Sequence, residues 1–261
     1  MIRTILERAR QGRRTTRYPE GLPPALPARF LGRPVIERGN ADGPGPDPAV
    51  CPTGALHLGA DSCAIDLGTC LFCGACATER GPWKIRFSRD PRLAARTRAE
   101  LVVEAAREAA LTATLDAKLR RLFGRSLKLR QVSAGGCNAC EADVNVLTTI
   151  GWDLGRFGIQ FVASPRHADG LLVTGPVTEN MRLALRKAWD AVPEPKIVIA
   201  VGACAISGGP YLGHPETHNG CDRLVPVDLY IPGCPPHPLT ILDGLLRLLG
   251  RLEEGGRKTG G

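Results

Sequence analysis

From residue 127 onward, short apolar runs alternate with segments whose apolar residues recur every three or four positions. The runs at 127–132, 160–163, 170–174, 196–201 and 227–231 predict strands. The stretches at 141–150, 179–191 and 238–252 predict helices. Strand and helix in alternation predict a doubly wound parallel sheet, and such sheets bind ligands beyond the carboxyl ends of their strands.

The first half is patterned differently. Residues 1–14 predict a basic amphipathic helix with Ile2, Ile5, Leu6 and Ala9 on one side. Residues 18–34 are proline-rich and predict an extended arm. Residues 40–48 hold so many Gly, Pro and Asp that neither helix nor central strand is expected. A cysteine-rich unit follows, from Cys51 to about residue 89. Residues 91–123, rich in Ala, Leu, Arg and Glu, predict a helical connector, with Gly124 as its C-terminal cap.

Composition narrows the function. No apolar run reaches about 18 residues, so no membrane span is expected. The net charge of +8 is concentrated in residues 1–14 and 80–130. That excess suits nucleic acid, anionic lipid or an acidic partner. Aromatic residues make up only 5% and no RNA-stacking motif appears, so nucleic acid is set aside. Ten cysteines are the dominant signal. Arg13-Arg14 leads into Thr15-Thr16-Arg17-Tyr18-Pro19, where a twin-arginine export signal needs an apolar stretch. A reducing, cytoplasmic setting is therefore expected, and metal-binding thiols rather than disulfides.

Cys70, Cys73 and Cys76 form the C-x2-C-x2-C run of bacterial ferredoxins. Three thiolates on so tight a loop can grip three corners of a cubane. In two-cluster ferredoxins each half reads C-x2-C-x2-C-x3-C-P, and the fourth cysteine serves the other cluster. Cys51-Pro52 is such a fourth cysteine, so it completes the set. The other cluster's ligand positions hold Ala41, Pro44, Asp47 and Arg80. All four ligands of one cluster are present and all four of its neighbour are missing, a partition that random loss would rarely respect. The alternative is structural zinc, but zinc usually takes paired C-x2-C knuckles. Cys63 fits no ligand slot and is expected to be a buried free thiol.

Cys137 and Cys140 follow the strand expected at 127–132. Cys204 follows that at 196–201, and Cys234 that at 227–231. Four cysteines thus fall past the ends of three strands, with a glycine close by at each strand end that lets backbone N–H groups approach sulfur. Cys221 competes with Cys204, but it precedes a strand and is expected at the wrong end.

The stretches GGCNACEAD, RFGIQFVASPRHADGLLVTGPVT, PKIVIAVGACA and VPVDLYIPGCPP resemble the small subunit of membrane-associated, formate-hydrogenlyase-type [NiFe] hydrogenases, itself similar to the complex I subunit that carries the terminal cluster. The resemblance covers nearly all of residues 127–249. Thr15–Glu20 and Phe30–Pro34, with the ferredoxin run behind them, resemble a second, ferredoxin-like subunit of the same enzymes. The chain therefore resembles a fusion of two neighbouring electron-transfer subunits that has lost one cluster.

The resemblance implies a flavodoxin-like α/β domain at 125–261. A helix and arm at 1–35, a ferredoxin-like α+β domain at 36–90 and a helical linker at 91–124 would precede it. It implies two [4Fe–4S] clusters, the second on Cys137, Cys140, Cys204 and Cys234. The implied partners are a [NiFe]-hydrogenase-type large subunit, membrane-arm subunits and an iron–sulfur donor or acceptor, at the cytoplasmic face of a membrane. Glu141 would lie near the large subunit, as a proton relay or simply as an acid at a helix N-terminus. Arg166 and His167 would hydrogen-bond near the cluster or the partner; His237 reads as a surface histidine. Quinone-type relatives carry two adjacent cysteines where this chain has Cys137 and Cys140 two residues apart, which favours the hydrogenase side. The alternative is an equivalent subunit of a quinone-reducing or nickel-free complex.

Overall fold

The computed structural model describes residues 2–39, 45–78, 81–105, 117–123 and 126–252. Ala41, Pro44, Arg80 and Gly124 lie outside them.

After helix α1 (Ile2–Gln11), the first half builds two small antiparallel sheets from β1 (Pro34–Arg38), β2 (Leu56–Leu58), β3 (Cys63–Asp66), β4 (Trp83–Phe87) and β5 (Val102–Glu104). β1 pairs with β4, and β2, β3 and β5 form the second sheet in that order. Each strand turns alternate residues inward, so Ile36 lies opposite Ile85 and Leu56 opposite Ile65.

The helix expected at 91–123 is restricted, among the described residues, to α2 (Ala117–Phe123). Residues 102–104 instead extend the second sheet, with Val103 opposite Ile65. Two adjacent β-branched residues favour a half-buried strand over a helix, and here tertiary packing decides.

The second half follows the expected alternation: β6 (Leu127–Ser133), α3 (Ala139–Val146), β7 (Ile159–Phe161), β8 (Gly170–Thr174), α4 (Glu179–Ala191), β9 (Ile197–Val201), α5 (Ala203–Ser207), β10 (Leu229–Ile231) and α6 (Pro238–Leu248). All five strands are parallel, in the order β7-β6-β8-β9-β10. Numbered within this sheet the order is 2-1-3-4-5, the flavodoxin arrangement, with its switch point between β6 and β8. β8 and β9 are buried at every position, which is why they read as continuous apolar runs. The short helix α5 is the element that periodicity did not anticipate.

The halves share one core, in which Leu67 and Leu101 join Leu171 and Val173. Ala95 and Tyr230 exchange two backbone hydrogen bonds, of 2.9 and 2.8 Å. Ser207 Oγ donates to Gly68 O at 2.9 Å. The arm after α1 is laced to the second half. Arg156 donates to Thr16 O and Tyr18 O, both at 2.7 Å. The Tyr18 hydroxyl donates to Asp243 Oδ1 at 2.6 Å, while Asp243 Oδ2 accepts from Arg247 Nε at 2.9 Å. Among the described residues no helix is long and apolar enough to cross a membrane.

Candidate iron–sulfur sites

The first thiol site hangs from Asp66 at the end of β3. Its carboxylate accepts from Gly68 N at 2.9 Å, Thr69 Oγ1 at 2.7 Å and the Arg98 fork at 2.8 and 2.9 Å. Its carbonyl accepts from Cys70 N at 3.0 Å. This turn delivers Cys70 into the interior. The loop then curls through left-handed residues Phe72 (φ 54°) and Gly74 (φ 75°) to present Cys73 and Cys76. Cys51 arrives from the opposite side, after a single 3-10 turn capped by Asp47, which accepts from Ala49 N at 2.9 Å. Asp47 thus orders the chain's approach to Cys51.

Cys51, Cys70, Cys73 and Cys76 line one small cavity with Leu56, Ile65 and Phe87. Ala55 N donates to Cys51 Sγ at 3.1 Å, and Phe72 N donates to Cys70 Sγ at 3.3 Å. Burial pushes the Cys70 thiol up to about 12, helped by the charges of Cys76, Cys51 and Cys73. Burial also pushes Cys51 up, but N–H groups from Thr53, Leu56 and Ala55 outweigh it and hold that thiol below its usual value. Cys63 stands apart in β3, its thiol raised to about 11 by burial and by Cys76. It faces a groove lined by Arg38 and Trp83 rather than the cavity.

The second site lies past the carboxyl edge of the parallel sheet. Cys137 and Cys140 lead into α3, Cys204 lies in α5, and Cys234 lies between β10 and α6. The turns are sewn together: Gly202 N donates to Ile231 O and Ala203 N to Gly233 O, both at 2.8 Å. Burial raises the Cys140 thiol, and the charges of Cys204, Cys234 and Cys137 add to it. Cys204 is pushed up to about 12 by burial and by Cys234 and Cys137. Cys221 is sealed inside, and its thiol feels Asp222 rather than these cysteines. Gly202, at φ 90°, shows why glycine is needed: a Cβ there would stand 2.5 Å from Cys140 Sγ.

Glu141 sits buried at the switch point. Its Oε1 accepts from Ser133 at the end of β6 (2.6 Å) and from Thr174 at the end of β8 (2.7 Å). Burial opposes its charge, but these two hydroxyls hold the carboxyl below its usual range. Arg166 and His167 are exposed, on a 3-10 turn.

A cleft lined by Leu71, Phe72, Phe30 and Leu31 opens beside Cys234 and His237. His237 is not the surface histidine expected. It is half-buried, its Nδ1 accepts from Leu239 N at 3.1 Å, and Phe30 and Trp152 meet its ring edge-on at 5.5 and 6.0 Å. The arm's place in this cleft left no sign in the sequence.

Among the described residues, no three His, Cys, Asp or Glu side chains converge tightly enough for a single metal ion. The donor chemistry suits a larger group. Four thiols surround one cavity, N–H groups aim at two of its sulfurs, and a glycine leaves Cys140 the room a Cβ would take. N–H donors to sulfur are a recurrent feature of protein-bound iron–sulfur clusters. Deprotonating thiols raised this far makes loading either site release protons.

Residues 137–248 match the family model described as NADH ubiquinone oxidoreductase, 20 Kd subunit. The probable membrane-bound hydrogenase subunit mbhJ of Pyrococcus furiosus is 43% identical over 138 residues, which cover 53% of this chain and 83% of that protein. The chain belongs to this family. Formate hydrogenlyase subunit 7 of Escherichia coli is 46% identical over 142 residues. That match covers 54% of this chain and 56% of the E. coli protein, so the chain spans little more than half of that relative's length. Among solved structures, a chain of the membrane-bound sulfane sulfur reductase, an archaeal respiratory membrane complex, is 33% identical. It aligns over 54% of this chain and 78% of its own, with a TM-score of 0.46.

Proposed function

We propose that the chain holds two [4Fe–4S] clusters and relays electrons within a hydrogenase-type complex. Cys51, Cys70, Cys73 and Cys76 would hold one; Cys137, Cys140, Cys204 and Cys234 the other. The observation that carries this reading is two sets of four thiols, one around a single cavity and the other gathered past the carboxyl edge of the parallel sheet. When bound, each cluster takes up and passes on one electron at a time. The chain's own residues set the surroundings: Leu71, Phe72 and Phe30 line the cleft beside Cys234, and Gly202 lets backbone close on Cys140.

The first site takes electrons from, or gives them to, an iron–sulfur partner. The second faces a [NiFe]-hydrogenase-type large subunit. The complex sits with membrane-arm subunits at the cytoplasmic face. Residues 36–90 act as a ferredoxin-like unit and 125–261 as the small-subunit unit, although one core runs through both. Glu141, anchored through Oε1, would act as a proton station beside the large subunit.

The test is metal analysis and EPR on the anaerobically purified, reduced complex. About eight iron and eight sulfide per chain, the sum of two cubanes, are expected, with nickel on a co-purifying large subunit. Iron without nickel would move the reading to a nickel-free relative. Zinc in place of iron, with no reduced-cluster signal, would sink it. For the proton station, Glu141→Gln should slow hydrogen turnover with both EPR signals unchanged; unaltered turnover would leave Glu141 only its anchoring role.

A further inference from the structure

Helix α1 is amphipathic in the reverse sense to a helix packed on its own protein. Thr4, Glu7, Arg8 and Gln11 line the space between the helix and Ile150, so the polar side faces the body. At 100° per residue, Ile2, Ile5, Leu6 and Ala9 fall within an arc of about 100° on the opposite side. None of the helix is buried. Ile2, Ile5 and Leu6 are 77%, 67% and 55% exposed.

A soluble helix normally spends its apolar stripe on a core. This one turns it outward, together with charge of one sign. Residues 2–17 carry six arginines (3, 8, 10, 13, 14 and 17) against the single Glu7, and all six arginines are exposed. Leu22, which is 90% exposed, shares a groove with Arg14, Arg17 and Trp152.

We propose that α1 and the Arg13–Arg17 segment form a docking face for an anionic lipid surface. The helix lies flat, its isoleucines and leucine enter the boundary between headgroups and acyl chains, and the arginines reach the phosphates. Charge complementarity and outward apolar side chains together select lipid. An acidic protein would use the arginines but leave the stripe unexplained. The proposal is independent of the cluster assignment, because it involves no cysteine.

The experiment is flotation of the full chain, clusters loaded, with vesicles of phosphatidylglycerol in phosphatidylcholine and with phosphatidylcholine alone. Binding to the anionic vesicles only, weakened by salt, is expected. Replacing Arg13 and Arg14 by Gln should lower partitioning about thirtyfold, from about 1 kcal/mol per basic residue at such a surface. Ile5→Glu with Leu6→Glu should abolish it, with both EPR signals intact as the check on folding. No flotation, equal binding to neutral vesicles, or indifference to Ile5→Glu with Leu6→Glu would overturn the proposal. Capture of an acidic subunit through α1 without vesicle binding would overturn it in favour of a protein partner.

Discussion

The two thiol sites reach similar donor sets by opposite means. At the first, three cysteines share one seven-residue loop and only Cys51 comes from elsewhere. The loop's own left-handed turns and the Asp66 hydrogen bonds shape it. At the second, three separate strand ends supply the cysteines, and the sheet's strand order does the gathering. A site made by a loop depends on local backbone conformation. A site made by topology depends on close approach between distant turns, and tolerates less added volume.

The sharpest break between them is single-cysteine removal. Cys51→Ser should remove the first cluster and Cys204→Ser the second. Each would take the iron content from about eight to about four per chain and erase one EPR signal. Loss of both signals from either variant would mean that the sites are not independent. The next effect should come from glycine. Gly202→Ala places a Cβ against Cys140 Sγ and should cost the second cluster, whereas Gly54→Ala, also at positive φ but with open space around it, should spare the first. Equal tolerance of the two alanines, read by EPR amplitude, would remove the distinction drawn above.

The smallest effect concerns pH. Burial alone would raise the Asp66 carboxyl, but Arg98 and Thr69 outweigh it and hold it below the usual range. Its folded pKa is thus depressed. The stability it contributes is complete above the unfolded value near about 3.9 and is lost as pH falls through the lower folded value. Asp66→Asn should therefore cost about 2 kcal/mol at pH 7, the usual scale for hydrogen bonds to a charged group. That difference should shrink as pH falls below about 3.9 and disappear once pH has passed below the folded value. Thermal melts of both proteins across this range measure it; a difference that does not change with pH would assign the effect to packing.

Legibility in the sequence followed the same divide. The first site could be read from spacing, because C-x2-C-x2-C places ligands within one loop. The second needed the strands first: Cys204 and Cys221 differ little in local pattern, and only their positions relative to strand ends separate them. The parallel sheet was readable because β8 and β9 are buried on both faces and so read as unbroken apolar runs. Residues 102–104 were not, since helix-forming composition surrounds them and only pairing with β3 makes them a strand. The arm was opaque for another reason. Its proline-rich stretch carries no period, and its anchor joins Tyr18 to Asp243, 225 positions away. His237 looked like surface because nothing local announces Phe30 or Trp152 beside it.

The Ala95–Tyr230 exchange has a consequence for how the proposed relay would behave when the protein is scarce. Two iron–sulfur proteins on separate chains must meet before an electron can pass, so dilution or loss of a subunit interrupts the current. Here the halves are covalently joined and also stitched across a sheet edge. The effective concentration of one site at the other is then a constant of the fold rather than of the cell. Drawing the sites apart would mean opening that edge, so their spacing survives any fall in protein level that leaves the chain folded.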